Sequence, residues 1–113
     1  MNPWLFLPFC PEDLDTVTTM EVQSFAQPWE RSAIKDELAN PDARAFILKP
    51  EDRLAPLDVG AYIFLRIRMD QIRIVKLAVA PEQRRQGLAS RLATQALAQT
   101  AREGCARAIL EVR

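Results

Sequence analysis

Arg84, Arg85 and Gly87 are the residues with the clearest chemical potential. They sit in the run Val79-Ala80-Pro81-Glu82-Gln83-Arg84-Arg85-Gln86-Gly87-Leu88-Ala89, where an R-x-x-G-x-A turn separates an apolar strand from a long amphipathic helix. Such a turn suits a phosphate. The first turn of a helix leaves backbone N–H groups without intrahelical partners, and the macrodipole adds partial positive charge there. Gly87 lets an anionic oxygen approach the backbone, while Arg84 and Arg85, with Arg91 a turn further on, add forked, permanently charged donors.

Positioning this loop requires a strand that stops and a helix that starts. Ile72, Ile74, Val75, Leu77 and Val79 form a β-branched run suited to a buried strand, and Pro81 ends it because proline has no N–H to donate. The helix begins around Gly87 and has the clearest periodicity in the chain. Leu88, Leu92 and Ala96 share one line, Ala89, Ala93 and Leu97 lie beside it, and Arg91, Gln95, Gln99, Arg102 and Glu103 are expected to face water. Gly104 stands where a left-handed cap would end this helix.

The remaining elements read as β-α-α-β-β-β-α-β. A short strand at 5–9 precedes a helix opened by Pro11-Glu12-Asp13 and running to about Phe25, where Pro28 breaks it. A second helix at 30–38 ends before Asn40-Pro41. Strands follow at 45–48, 59–68 and 71–80, the last two joined by a tight hairpin at Met69-Asp70, with an exposed turn at 49–58 and a final strand at 107–113. The fold class is α/β (α+β) with a mixed sheet, and residues 1–113 read as a single domain.

Composition removes several function classes. A chain of 113 residues with 49% hydrophobic content and zero formal net charge can bury a core, and it offers no basic excess for nucleic acid. There is no histidine, and the two cysteines, Cys10 and Cys105, are far apart in sequence. A Cys/His zinc site or a Cys-His dyad therefore lacks its parts, and no metal is expected. The apolar start has no positive leader-like region and meets Glu12 and Asp13 at once, and no stretch reaches membrane-spanning length. The expected location is the cytoplasm, with no membrane partner.

A P-loop would require G-x-x-x-x-G-K-[ST], and a dinucleotide fold would require G-x-G-x-x-G after its first strand; both are absent. Arg84, Gly87 and Ala89 instead match [QR]-x-x-G-x-[GA], and the loop resembles that of the GNAT acetyltransferases, the Gcn5-related family that binds acetyl-coenzyme A. By itself the hexapeptide is also an ordinary basic helix start. Two further segments, Phe25-Ala26-Gln27-Pro28-Trp29 and Leu110-Glu111-Val112-Arg113, resemble elements of the RimI-type members, which acetylate the N-terminal amine of a ribosomal protein. The resemblance covers essentially the whole chain in the right order.

It implies that an α-amine attacks the thioester of acetyl-coenzyme A, the cosubstrate. Peptide N-termini have a pKa near ~7.7 to 8.0, so a modest push from a general base suffices. The resemblance places that base at Glu111, the pyrophosphate on Arg84, Arg85, Gln86, Gly87, Leu88 and Ala89, the pantetheine arm along the backbone of Leu77, Ala78 and Val79, and the acceptor beside Phe25, Pro28 and Trp29. An ion pair with Arg107 or Arg113 is the plain alternative for Glu111. Neither cysteine lies in a motif, which favours direct transfer over an acetyl-cysteine intermediate.

Family members continue past L-E-V-R with a further helix, two strands and a segment carrying a tyrosine general acid. Tyr62, the sole tyrosine, does not match that position and is given no such role. The chain accordingly reads as a truncated piece of such an enzyme, expected to self-associate through the strand at 107–113 or to leave that strand frayed. A noncatalytic coenzyme A-binding or interaction module, and an enzyme acting on a small-molecule amine, stand as alternatives.

Overall fold

The computed structural model describes residues 4–51, 59–103 and 107–110, the last four by their backbone. The elements are β1 (Trp4–Pro8), α1 (Leu14–Ser24), α2 (Arg31–Ala39), β2 (Ala43–Pro50), β3 (Ala61–Arg68), β4 (Gln71–Val79), α3 (Leu88–Ala101) and β5 (Arg107–Leu110). They occur in the order expected from the sequence. The strands lie side by side in chain order, with β1 to β4 antiparallel and β5 parallel to β4.

Several boundaries differ from expectation, for local reasons. Pro11–Asp13 forms a 3-10 turn before α1, in which the Asp13 carboxylate accepts the Cys10 N–H at 2.9 Å. β2 extends through Arg44 and Lys49, beyond the 45–48 expected from the sequence. Each charge has a partner: Arg44 pairs with Glu103 at 2.9 Å, and Lys49 with the buried Asp13 at 2.6 Å. The expected turn at 49–58 thus begins only after Pro50, and residues 52–58 lie outside the described residues. The hairpin is at Met69-Asp70, where Met69 takes φ 59°, a value glycine usually supplies in a two-residue turn.

Helices cover both faces of the sheet. Leu88, Leu92 and Ala96 of α3 pack on Trp4, Phe46, Leu48, Ala61, Ile63, Leu65, Ile72 and Ile74. Burying one such aliphatic side chain contributes ~1.5–3 kcal/mol, more than a typical cap, so packing rather than end chemistry holds α3. Gln95, expected to face water, is half-buried with Oε1 covered. On the other face, Leu14, Val17 and Met20 of α1 and Ile34 of α2 pack on Ile47, Tyr62, Phe64 and Ala78.

β4 changes face part-way along. Lys76 lies opposite Phe64 but Ile74 lies opposite Leu65, leaving Val75 as an extra residue. This bulge reverses the alternation. Ile72 and Ile74 face α3, and beyond the bulge Leu77 and Val79 do so, while Lys76 and Ala78 turn toward α1 and α2. Pairing with β5 covers only Gln71 to Ile74. Among the described residues, 75–79 have no strand on that edge.

Candidate active site

The open edge of β4 and the start of α3 meet in one cleft of about 450 Å³. Its lining includes Leu77, Ala78, Val79, Arg84, Arg85, Gly87, Leu88 and Ala89, with Ser24 and Phe25 at the end of α1 forming another part of the wall. Eight of the nine residues expected at the coenzyme therefore line one space. Gln86 does not; it is exposed and donates to Gln83 Oε1 at 2.9 Å.

Backbone geometry supplies donors along the cleft. The Ala80 N–H donates to Gly60 C=O at 2.8 Å, so the alternation of an antiparallel ladder turns the polar groups of Ala78 toward β3 and those of Leu77 and Val79 outward. Arg84 Nε reaches the outward Val79 carbonyl at 3.3 Å. At the helix start, Gly87 is the N-cap with φ 74°, and Arg85 is also left-handed at φ 68°. The Gly87 carbonyl accepts the Arg91 N–H at 3.1 Å, and no side chain caps α3. The N–H groups of the first helical turn thus remain for an anion. A Cβ on Gly87 would meet no protein atom within 4 Å, so it is the left-handed φ rather than crowding by the protein that favours glycine there.

Phe25 and Trp29 of the expected acceptor segment are half-buried on either side of exposed Pro28. Trp29 also lines a second cleft, with Asn40, Asp42, Arg66, Gln71 and Val75. Glu111 lies outside the described residues, as do Cys105 and Gly104. Cys10 is a free, half-buried thiol, away from the residues lining the first cleft.

Sequence reading missed a buried polar cluster behind this wall. Glu21 is fully buried; its carboxylate accepts the Trp29 N–H at 2.7 Å, the Tyr62 hydroxyl and the Lys76 ammonium. Lys76 Nζ also lies 4.3 Å from the Phe25 ring centroid and 4.4 Å from that of Trp29. Burial, reinforced by the bond to Glu21, pushes the Tyr62 hydroxyl well above the ordinary phenol value, so it stays protonated. Its proton is donated to the Glu21 carboxylate. A signal existed: Glu21 continues the apolar stripe of Leu14, Val17 and Met20, and Lys76 interrupts an apolar strand. A charge at an inward position needs a partner.

Residues 14–113 match the Acetyltransferase (GNAT) family. The chain belongs to that family. A Bacillus subtilis (strain 168) relative with the provisional name ribosomal protein bS18-alanine N-acetyltransferase is 33% identical over 103 residues, covering 90% of this chain. The chain spans 65% of that relative's length. The crystal structure of the ribosomal-protein-S18-alanine N-acetyltransferase from Escherichia coli superposes with a TM-score of 0.83 at 22% identity, covering 98% of this chain and 68% of that one. The PaiA N-acetyltransferase from Thermoplasma acidophilum, in complex with coenzyme A, superposes at 0.77 and 14% identity, covering 96% and 78%. At these identities the two structures speak for the GNAT fold alone.

Proposed function

We propose that this GNAT chain binds acetyl-coenzyme A and carries out the transfer of its acetyl group to the N-terminal α-amine of a protein, with a ribosomal protein as the favoured acceptor. One observation carries the reading: the β4 edge at residues 77–79, unpaired among the described residues, runs into an uncapped glycine turn at a helix N-terminus, within one cleft. The outward polar groups of Leu77 and Val79 suit the amides of a pantetheine arm. The first-turn N–H groups of α3, with Arg84 and Arg85, suit the pyrophosphate.

When bound, acetyl-coenzyme A supplies a thioester carbonyl for the amine to attack, with its thiolate as leaving group. Phe25, Pro28 and Trp29 form the acceptor side. Glu111, which follows the last described residue of β5, takes the proton that the attacking amine gives up. The relative's name supports a ribosomal acceptor, and the coenzyme-bound neighbour supports the ligand class.

Calorimetry with acetyl-coenzyme A and mass spectrometry of an alanine-starting peptide test the proposal. Gly87→Val should weaken coenzyme binding because a β-branched residue is strained at φ 74° and its side chain would crowd the pyrophosphate. Arg102→Ala, at the far end of α3, should leave binding unchanged. Absence of binding, or equal losses in both variants, would overturn the site; binding without peptide acetylation would leave a coenzyme-binding module.

A further inference from the structure

We propose that Glu21 and Lys76 are positioning residues that fix the acceptor-side segment 25–30 against the open edge of β4. The proposal rests on the acetyl-transfer reading and goes beyond it. Segment 25–30 has no helix or strand of its own and must hold two aromatic side chains in place. Glu21 secures it at both ends. Its backbone carbonyl accepts the Phe25 N–H at 3.0 Å, and its carboxylate accepts the Trp29 N–H at 2.7 Å. Lys76 then holds the side chains, with its ammonium under both rings and paired to the same carboxylate.

The location of Lys76 gives this cluster its functional meaning. It follows the bulge residue Val75 and precedes Leu77, so the bulge turns its side chain toward α1. The inserted residue thus brings a cation under the acceptor-side rings. For stability alone an apolar cluster would serve, because a buried ion pair replaced by well-packed apolar residues is often neutral or stabilising. The pair instead supplies a directed acceptor for one backbone N–H and a fixed point for two rings.

The test uses the triple variant Glu21→Leu/Tyr62→Phe/Lys76→Met, which removes every member of the cluster together, and the milder Glu21→Gln/Lys76→Met, which keeps an uncharged acceptor for Trp29. The triple variant should melt at or above the wild-type temperature and bind acetyl-coenzyme A within about 2-fold of wild type. Its Trp29 amide should exchange with solvent about 10-fold faster, and its KM for the acceptor peptide should rise about 10-fold, as expected for loss of a hydrogen bond to a charged group. The milder variant should show the same changes at roughly 3-fold. If the triple variant does not fold, the milder one decides. Unchanged Trp29 exchange, an unchanged acceptor KM, or a parallel loss of coenzyme affinity in the folded variant overturns the proposal. A wild-type chain that acetylates no N-terminal peptide instead removes the acetyl-transfer reading, and the exchange measurement then decides whether Glu21 holds the segment.

Discussion

Tyr62 on β3 donates its hydroxyl to Glu21 on α1, 41 residues earlier in the chain, across the interface between sheet and helices. Its folded-state pKa is raised, first by burial and then by Glu21. The sign follows from linkage. The folded state keeps a proton that the unfolded state loses above pH ~10, so the stabilisation is complete below that value and declines as pH rises past it, by up to ~1.4 kcal/mol per pH unit. Because Tyr62 is the sole tyrosine, phenolate absorbance reports this residue alone. Alkaline titration should show phenolate appearing together with loss of helical circular dichroism. Ionisation near pH ~10 with the fold intact would contradict the buried bond.

Removing that hydroxyl should also be felt. Tyr62→Phe leaves one lone pair of a buried carboxylate without its donor, at a cost of ~1–3 kcal/mol, to be measured by denaturant unfolding. An unchanged midpoint would mean that another donor replaces it.

Local rules made most of this architecture readable, and the exceptions have specific causes. The α3 stripe of Leu88, Leu92 and Ala96, the Met69-Asp70 hairpin and the glycine turn at Gly87 are encoded within a few residues of themselves. β2 runs past 45–48 at both ends, where Arg44 and Lys49 find partners, Glu103 and Asp13, that are distant in sequence. The bulge at Val75 left only a faint trace, the adjacent apolar pair Ile74-Val75 that breaks period-2 alternation. The loop was therefore legible, whereas the cluster joining Glu21, Tyr62 and Lys76 was not, because it is assembled from three elements.

Gly60 tests the packing behind β3. A Cβ there would run into the ring of Trp4, whose indole occupies that space, and Gly60 bridges Leu48 C=O and Ala80 N–H, each at 2.8 Å. Gly60→Ala should destabilise by ~1–3 kcal/mol through overpacking and should shift the emission of Trp4. A thermal midpoint within a degree of wild type would show that the ring moves aside freely.

The ion pair between Arg44 and Glu103 ties β2 to the end of α3, and Arg44 holds the Glu103 pKa below its ordinary value. A depressed carboxylate contributes stability above its unfolded pKa of ~4.3 and loses it as pH falls through the lower folded value. Both side chains are about a third exposed or more, so the effect should be small and screened by salt. Glu103→Gln should flatten the acid limb of stability at low ionic strength and change little in 1 M salt, where screening acts over ~3 Å. Identical acid limbs at low salt would assign no role to the pair.

Glu111 carries the proposed chemistry. The described part of β5 runs parallel to β4 and ends at Leu110 opposite Ile74, one residue before the Val75 bulge; Glu111 is next in the chain. A base in this role removes a proton from the amine as it attacks, so its loss should slow turnover without weakening the coenzyme's hold on the α3 turn. For Glu111→Gln, turnover with an alanine-starting peptide should fall on the order of 10²- to 10⁴-fold. Acetyl-coenzyme A affinity by calorimetry should stay near wild type, and raising the pH should recover part of the rate by supplying more free amine. Turnover equal to wild type across the pH range would remove Glu111 from the reaction and leave proton removal to water.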